Sequence, residues 1–182
     1  GAASIAEKKG DLTLTEKSDP YGFLKLYEEK QISAITSNQV FRIYALTGRF
    51  IRDPQKFAIG DFITQALQNK PIVINSPYPV IRSYVSASDV AKCSIKWLLS
   101  EDKPIGPIET SSHVTTLTAL GELVASQYGQ PRPTIKTLTG AANSYSCSPI
   151  YFESILRKYR IKPLTMTEQI SDTEIGLRLN HI

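Results

Sequence analysis

Residues 19–25 have the sequence Asp-Pro-Tyr-Gly-Phe-Leu-Lys, which places Tyr21 and Lys25 four positions apart at the start of a helical pattern. This spacing is slightly more than one helical turn, so the phenol and the ammonium group lie on one face and can act on one reacting centre. The serine and the aspartate before the proline can each cap the helix, and the proline suits its first turn. We therefore expect a helix that continues to about residue 36.

A tyrosine and a lysine at this spacing can couple proton transfer to hydride transfer. A free phenol titrates near pH ~10, so exchanging its proton at neutral pH requires nearby positive charge. Lys25 can supply that charge. Lowering the pKa of a phenol by ~3 units requires roughly 4 kcal/mol of differential stabilisation. The pattern also arises by chance, and the alternative interpretation is a half-buried helical tyrosine followed by a solvated lysine.

Three blocks of the sequence resemble one family, in its order and near its spacing. They are residues 20–26 (Pro-Tyr-Gly-Phe-Leu-Lys-Leu), 41–48 (Phe-Arg-Ile-Tyr-Ala-Leu-Thr-Gly) and 82–91 (Arg-Ser-Tyr-Val-Ser-Ala-Ser-Asp-Val-Ala). The blocks look like the second half of an extended short-chain dehydrogenase/reductase, the NAD(P)-dependent sugar-nucleotide epimerase/dehydratase family. This resemblance implies an α/β fold, the later part of a doubly wound Rossmann-type parallel sheet with a smaller carboxyl-terminal substrate domain.

The resemblance also implies a division of the chain. Residues 1–48 are expected to belong to the NAD(P)-binding Rossmann domain, and residues 49–182 mainly to the substrate domain, with interleaved Rossmann elements. The chain begins with Gly1, its one methionine is Met166, and it contains no Gly-x-Gly-x-x-Gly or Gly-x-x-Gly-x-x-Gly turn for a dinucleotide pyrophosphate. We therefore interpret it as the carboxyl-terminal part of a longer protein.

Five residues in or near these blocks take roles from the resemblance. Tyr21 is implied as the general acid/base, and Lys25 as the residue that stabilises its phenolate and binds the nicotinamide ribose. Together with Tyr44 they form the expected NAD or NADP site. Arg82 is implied to hold the substrate pyrophosphate, because a planar guanidinium donates two hydrogen bonds to phosphate oxygens. Phe57 is a candidate contact for the nucleotide base, with core packing as the alternative.

Several positions depart from the family pattern. Residues 42–48 match Arg-x-x-Asn-x-x-Gly except that Ala45 occupies the substrate-contact position of the asparagine, and Ser86 stands where His or Tyr is common. The family's catalytic Ser or Thr is expected just before Gly1, with Ser4 as a weaker substitute. The dehydratases carry an Asp-Glu pair after that hydroxyl, where this chain has glycine and alanine, so an epimerase or 4-ketoreductase is favoured.

Apolar periodicity predicts alternating strands and helices in the rest of the chain. We expect strands at 38–48, 72–74, 105–110 and 131–138, helices at 57–67, 90–99, 117–128, 150–159 and 166–179, and a polar loop at 139–148 that can cover the substrate site. Asp89 is expected to be the N-cap of its helix.

Composition excludes several classes of function. The chain has 182 residues, 41% of them hydrophobic and 21% charged, which is enough to bury a core. Its net charge is +4, but the basic residues are scattered, so we expect no nucleic-acid surface. Two cysteines without a CxxC pair and two histidines exclude the usual zinc spacings and argue against a disulfide framework. Without a membrane-length apolar run or a leader, the chain is expected to be cytoplasmic.

The predicted function is an NAD(P)-dependent sugar-nucleotide epimerase or 4-ketoreductase with a nucleotide-sugar substrate and no metal. Because family dimers often pair through the corresponding helix, a homodimer through the outer face of residues 21–36 is expected. Three alternatives stay open: a sugar-nucleotide 4,6-dehydratase, a binding protein without turnover, which Ala45 and Ser86 favour, and a fragment that serves only assembly.

Overall fold

The computed structural model describes residues 17–35, 38–103, 106–135 and 139–179. Within these ranges the helices are α1 (Pro20–Ser33), α2 (Ala58–Leu67), α3 (Ala87–Leu99), α4 (Leu117–Gln127), α5 (Ile150–Lys158) and α6 (Met166–Leu179). The strands are β1 (Phe41–Ile43), β2 (Ala45–Thr47), β3 (Val73–Ile74), β4 (Val80–Ser86), β5 (Ile108–Thr110), β6 (His113–Thr116), β7 (Thr134–Ile135) and β8 (Asn143–Tyr145). This alternation confirms the predicted α/β class. The prediction for Ser4 lies outside the described residues, as do residue 105 of one predicted strand and residues 136–138 of another.

β4 is the central strand of the largest sheet. It pairs in parallel with β2 and β8 and antiparallel with β6. Two further parallel pairs, β1 with β5 and β3 with β7, form separate two-stranded ladders. Parallel pairs joined through helices are the arrangement expected of a doubly wound sheet.

The single strand predicted at residues 38–48 is wrong, because the structure divides it at Tyr44. β1 pairs with β5, whereas β2 pairs with β4, so the two halves belong to different ladders. The predicted polar loop at 139–148 is also wrong in part, because it contains β8. This strand has the sequence Asn-Ser-Tyr and is largely exposed, so it has no apolar alternation by which a strand is recognised.

Two apolar clusters lie against the two faces of β4. Adjacent strand residues point to opposite faces, so Tyr84 belongs to the first cluster and Val85 to the second. Helices α2, α4 and α6 supply the first cluster, and α3 and α5 supply the second. The layers are therefore helix, sheet and helix. The domain boundary between residues 48 and 49 stays a prediction.

Asp89 does not cap α3, contrary to the prediction. The N-cap is Ser86, whose side chain accepts a hydrogen bond from the backbone N–H of Ser88 at 3.1 Å. Asp89 is fully buried, and its Oδ2 accepts from the backbone N–H of Leu164 at 2.9 Å. His113 Nε2 lies 2.9 Å from the backbone oxygen of Leu164. Two side chains from separate elements therefore hold the residue that leads into α6.

We expect Asp89→Asn to preserve this contact, because the amide oxygen also accepts from Leu164. Asp89→Ala leaves the half-buried N–H of Leu164 without this partner and costs about 1–3 kcal/mol in the free energy of unfolding. Burial raises the pKa of Asp89, so the folded protein binds this proton more tightly than the unfolded chain does. The wild type should therefore gain stability relative to Asp89→Asn as the pH falls through the raised pKa toward the unfolded value of ~3.9.

Urea unfolding of these three proteins at several pH values between neutral and about 4 checks the prediction. A wild-type stability that falls relative to Asp89→Asn on acidification contradicts it, and so does an alanine variant as stable as the wild type.

Candidate active site at the start of helix α1

The start of α1 is fixed by a side-chain cap. Asp19 is the N-cap, as one of the two predicted positions, and its Oδ1 accepts from the backbone N–H of Gly22 at 2.9 Å. A Cβ at position 22 would lie 2.6 Å from Asp19 Oδ2, so glycine leaves room for the capping carboxylate. The helix buries Gly22, Leu26 and Glu29, while Tyr21 stays 64% exposed.

Tyr21 and Lys25 line one open cleft of about 300 Å³, together with Tyr44 and Tyr145. The Lys25 ammonium lies 5.8 Å from the centre of the Tyr21 ring. It also donates a hydrogen bond of 2.8 Å to Glu28, and this bond and the charge of Glu28 raise the pKa of Lys25. The structure thus brings together the three residues predicted for the cofactor site, with the lysine in an exposed ion pair.

Tyr145 is a cleft residue that the sequence did not indicate. Its ring contacts that of Tyr44, with centroids 4.8 Å apart and planes inclined by 54°, and burial raises the pKa of Tyr145. The Tyr44 hydroxyl in turn donates to Glu109 Oε1 at 3.1 Å. The one available signal for Tyr145 was that it is an aromatic residue in an otherwise polar segment. Its location at the cleft follows only from the pairing of β8 with β4.

Arg82 lies beside this cleft without lining it. In the ladder between β4 and β8, Arg82 is the register partner of Tyr145. Its Nη1 donates to the backbone oxygens of Ile81 and Asn143 at 2.8 and 2.9 Å. Within the described part of the chain, its Nε and Nη2 have no hydrogen-bond partner, and it forms no ion pair. The guanidinium is therefore held at one edge and open at the other.

Ala45 and Phe57 are not brought into the Tyr21 cleft. Ala45 lies on β2 opposite Tyr84, and its methyl packs against the first apolar cluster. Phe57 immediately precedes α2 and is 54% exposed, so it is not part of the core stripe that continues into that helix. An exposed aromatic ring is available for stacking, whereas the half-buried methyl of Ala45 offers no polar contact.

Arg42 and Glu29 form a buried ion pair in the lining of the cleft. Arg42 Nε and Nη2 donate to the two carboxylate oxygens of Glu29 at 2.9 and 2.6 Å. Arg42 Nη1 lies 3.9 Å from Glu109 Oε1. Both Arg42 and Glu29 are buried, although they also line the cleft.

Other types of site find no support in the residues that the structure describes. In those ranges no group of three or more His, Cys, Asp or Glu residues could hold a metal ion, and no helix is long and apolar enough to cross a membrane. Cys93 and Cys147 are unpaired and buried. Burial raises the pKa of Cys93 to about 11, which disfavours a reactive thiolate.

No protein-family sequence model matches this chain, and no curated protein matches it in sequence. Solved structures do match. UDP-glucose 4-epimerase from Thermotoga maritima, solved with UDP-glucose, is 18% identical with a TM-score of 0.64, over 90% of this chain and 54% of that one. UDP-N-acetylglucosamine 4-epimerase from Methanobrevibacter ruminantium is 17% identical with a TM-score of 0.68, over 90% of this chain and 55% of that one. dTDP-glucose 4,6-dehydratase from Bacillus anthracis, solved with NAD, is 17% identical with a TM-score of 0.58, over 78% and 44%.

These matches confirm the predicted fold class. The chain has the α/β fold of part of these solved structures, and it spans about half of their length.

Proposed function

We propose that this chain supplies the acid/base residues and part of the substrate site of an NAD(P)-dependent sugar-nucleotide epimerase or 4-ketoreductase. The observation that carries the proposal is the placement of Tyr21 and Lys25 on one face of α1, at an open cleft. The fold similarity to sugar-nucleotide epimerases supports it.

In this proposal Tyr21 exchanges a proton with the sugar hydroxyl that is oxidised or re-formed. Its exposure at the cleft gives a substrate hydroxyl direct access to the phenol oxygen. Lys25 stabilises the phenolate by its charge and donates hydrogen bonds to the nicotinamide ribose. Its present partner, Glu28, is exposed and exchangeable. When bound, the nicotinamide supplies hydride acceptance and return, and the aromatic walls Tyr44 and Tyr145 suit a flat ring.

The substrate's phosphates are assigned to Arg82. Its two unused donor positions suit phosphate oxygens, and the carbonyls of Ile81 and Asn143 fix the guanidinium beside Tyr145. The exposed Phe57 ring is proposed to contact the nucleotide base. Ala45 stands at the substrate-contact position where the family that the sequence resembles carries an asparagine.

The outer face of α1 is proposed to form a homodimer contact. Leu24 and Tyr27 on α1, and Ile35 just beyond its end, are 49%, 52% and 66% exposed. A cluster of large apolar side chains on one helix is usually covered in the functional assembly. Light scattering of the complete encoded protein and of Tyr27→Glu checks this: the wild type should be a dimer, and the variant should dissociate. A monomeric wild type contradicts the dimer.

The experiment that tests the enzymatic function uses the complete encoded protein with NAD or NADP and a panel of UDP- and dTDP-sugars. For ketoreduction it uses NADH or NADPH with a nucleotide-linked 4-keto sugar. Chromatography of the products should show the sugar epimerised or reduced. A 4,6-dehydratase is distinguished by loss of water from the substrate. No conversion of any substrate contradicts the proposal.

A nucleotide-sugar binding protein without turnover is the second candidate. The observation that favours it is the half-buried methyl of Ala45, which packs against the first apolar cluster. It places no polar group where the family that the sequence resembles carries an asparagine. Saturable binding of a nucleotide sugar without conversion would support this candidate. Absence of both binding and conversion would leave the assembly role.

A further inference from the structure

Glu29 belongs to the same face of α1 as the proposed catalytic pair. Tyr21, Lys25 and Glu29 follow one another at intervals of four residues, so they form one line along the helix. Tyr21 and Lys25 are accessible from the cleft, whereas Glu29 is 8% exposed. Tyr21 and Lys25 are therefore open to the cleft, whereas Glu29 is enclosed by the protein.

The anchor is a two-point contact with Arg42. Two parallel hydrogen bonds, at 2.9 and 2.6 Å, join the planar guanidinium to both oxygens of Glu29. A single hydrogen bond allows rotation about its axis, whereas a planar pair of bonds fixes direction as well as distance. Since Arg42 is part of β1, the contact fixes the rotation of α1 relative to that strand.

The contact continues to the opposite wall of the cleft. Arg42 Nη1 lies 3.9 Å from Glu109 Oε1, and the same oxygen accepts from the Tyr44 hydroxyl at 3.1 Å. The ring of Tyr44 packs against Tyr145. Arg42 thus contacts α1 through Glu29. It also lies near Glu109, which accepts the hydrogen bond from Tyr44.

Stability alone is a weak explanation for such a pair. Desolvation of two charges consumes much of their attraction, and an apolar pair of similar volume often stabilises a core as well or better. Directional geometry is what an apolar pair cannot supply. We propose that Arg42 and Glu29 are positioning residues that hold α1 at the rotation required for Tyr21 and Lys25 to face the substrate. This inference rests on the proposed function.

The test compares Arg42→Lys and Glu29→Gln in the complete encoded protein. Lysine keeps the charge of Arg42 but lacks the planar pair of donors, and glutamine keeps the shape of Glu29 but removes its charge. Arg178→Lys is the matched control, because it makes the same change at the exposed ion pair with Glu174.

Two measurements are made on each variant. Hydrogen exchange followed by mass spectrometry should show the α1 amides exchanging at least about fivefold faster in Arg42→Lys and in Glu29→Gln. The exchange rates of the α2 and α6 amides should not change. Steady-state kinetics should show kcat lowered by about 10-fold with little change in KM, because the displaced groups act on the transition state. The control should change neither quantity.

The inference is overturned if the α1 amides of both variants exchange as slowly as in the wild type. It is also overturned if KM rises while kcat stays at the wild-type value. Glu29→Gln, which is isosteric, keeps the test decisive if Arg42→Lys fails to fold. Absence of turnover in the unsubstituted protein contradicts the proposed function, and the exchange measurement then reads the anchoring of α1 independently of it.

Discussion

Replacing Tyr21 by phenylalanine is expected to lower the kcat of the complete encoded protein by roughly 10²- to 10⁴-fold, the usual contribution of a positioned general acid/base. The substitution removes one oxygen atom and leaves the ring in place. Because Tyr21 is 64% exposed and its hydroxyl is not needed for packing, the fold should be unaffected. The KM for the nucleotide sugar should change little, since the phosphates and the base are bound elsewhere.

Tyr78→Phe is the matched control for this substitution. Tyr78 is 40% exposed and does not line the Tyr21 cleft. Steady-state kinetics on both variants, with thermal unfolding to confirm that they are folded, measures the difference. A Tyr21→Phe enzyme that retains wild-type kcat removes the acid/base assignment, whatever the substrate.

Arg82→Ala is expected to raise the KM of the nucleotide sugar by about 10- to 100-fold, the usual loss when hydrogen bonds to a charged group are removed. Arg82→Lys should recover part of this loss, because it keeps the charge but not the planar fork. Because Arg82 is assigned to the phosphates and not to the sugar, free UDP should lose affinity by a similar factor. Its competitive inhibition should therefore weaken in parallel.

Arg132→Ala is the control for Arg82, because Arg132 is an exposed arginine outside the proposed site. Inhibition constants for UDP, measured with Arg82→Ala, Arg82→Lys and Arg132→Ala, test whether Arg82 binds the phosphates. A KM and a UDP inhibition constant that both stay at wild-type values in Arg82→Ala contradict its assignment to the phosphates.

The sequence predicted best those elements whose local signals agree with their tertiary role. The start of α1 carries its own cap and proline, and the structure places Asp19 at the predicted position. The bounds of α6, Met166–Leu179, agree with the prediction. Tyr21, Lys25 and Tyr44 line one cleft, and their role in binding the cofactor stays a prediction.

The errors arose where long-range pairing decides the structure. Nothing local shows that the strand predicted at 38–48 changes partner at Tyr44, because both halves are equally apolar. β8 is polar, and it is a strand only because β4 offers it a partner. Asp89 is in the first turn of a helix, where a capping role is usual, yet its carboxylate binds a residue far along the chain.

The central claim is that the cleft of Tyr21 and Lys25 is a site of hydride transfer from a nucleotide sugar. It is tested most directly by adding a UDP-sugar to the complete encoded protein with NAD(P) and recording the near-ultraviolet absorbance of reduced nicotinamide. We expect this absorbance to appear with the nucleotide sugar and not with UDP alone, and we expect its rate of appearance to be greatly lowered in Tyr21→Phe. Saturable binding of the nucleotide sugar and of NAD(P), with neither reduction of the nicotinamide nor conversion of the sugar, would contradict it.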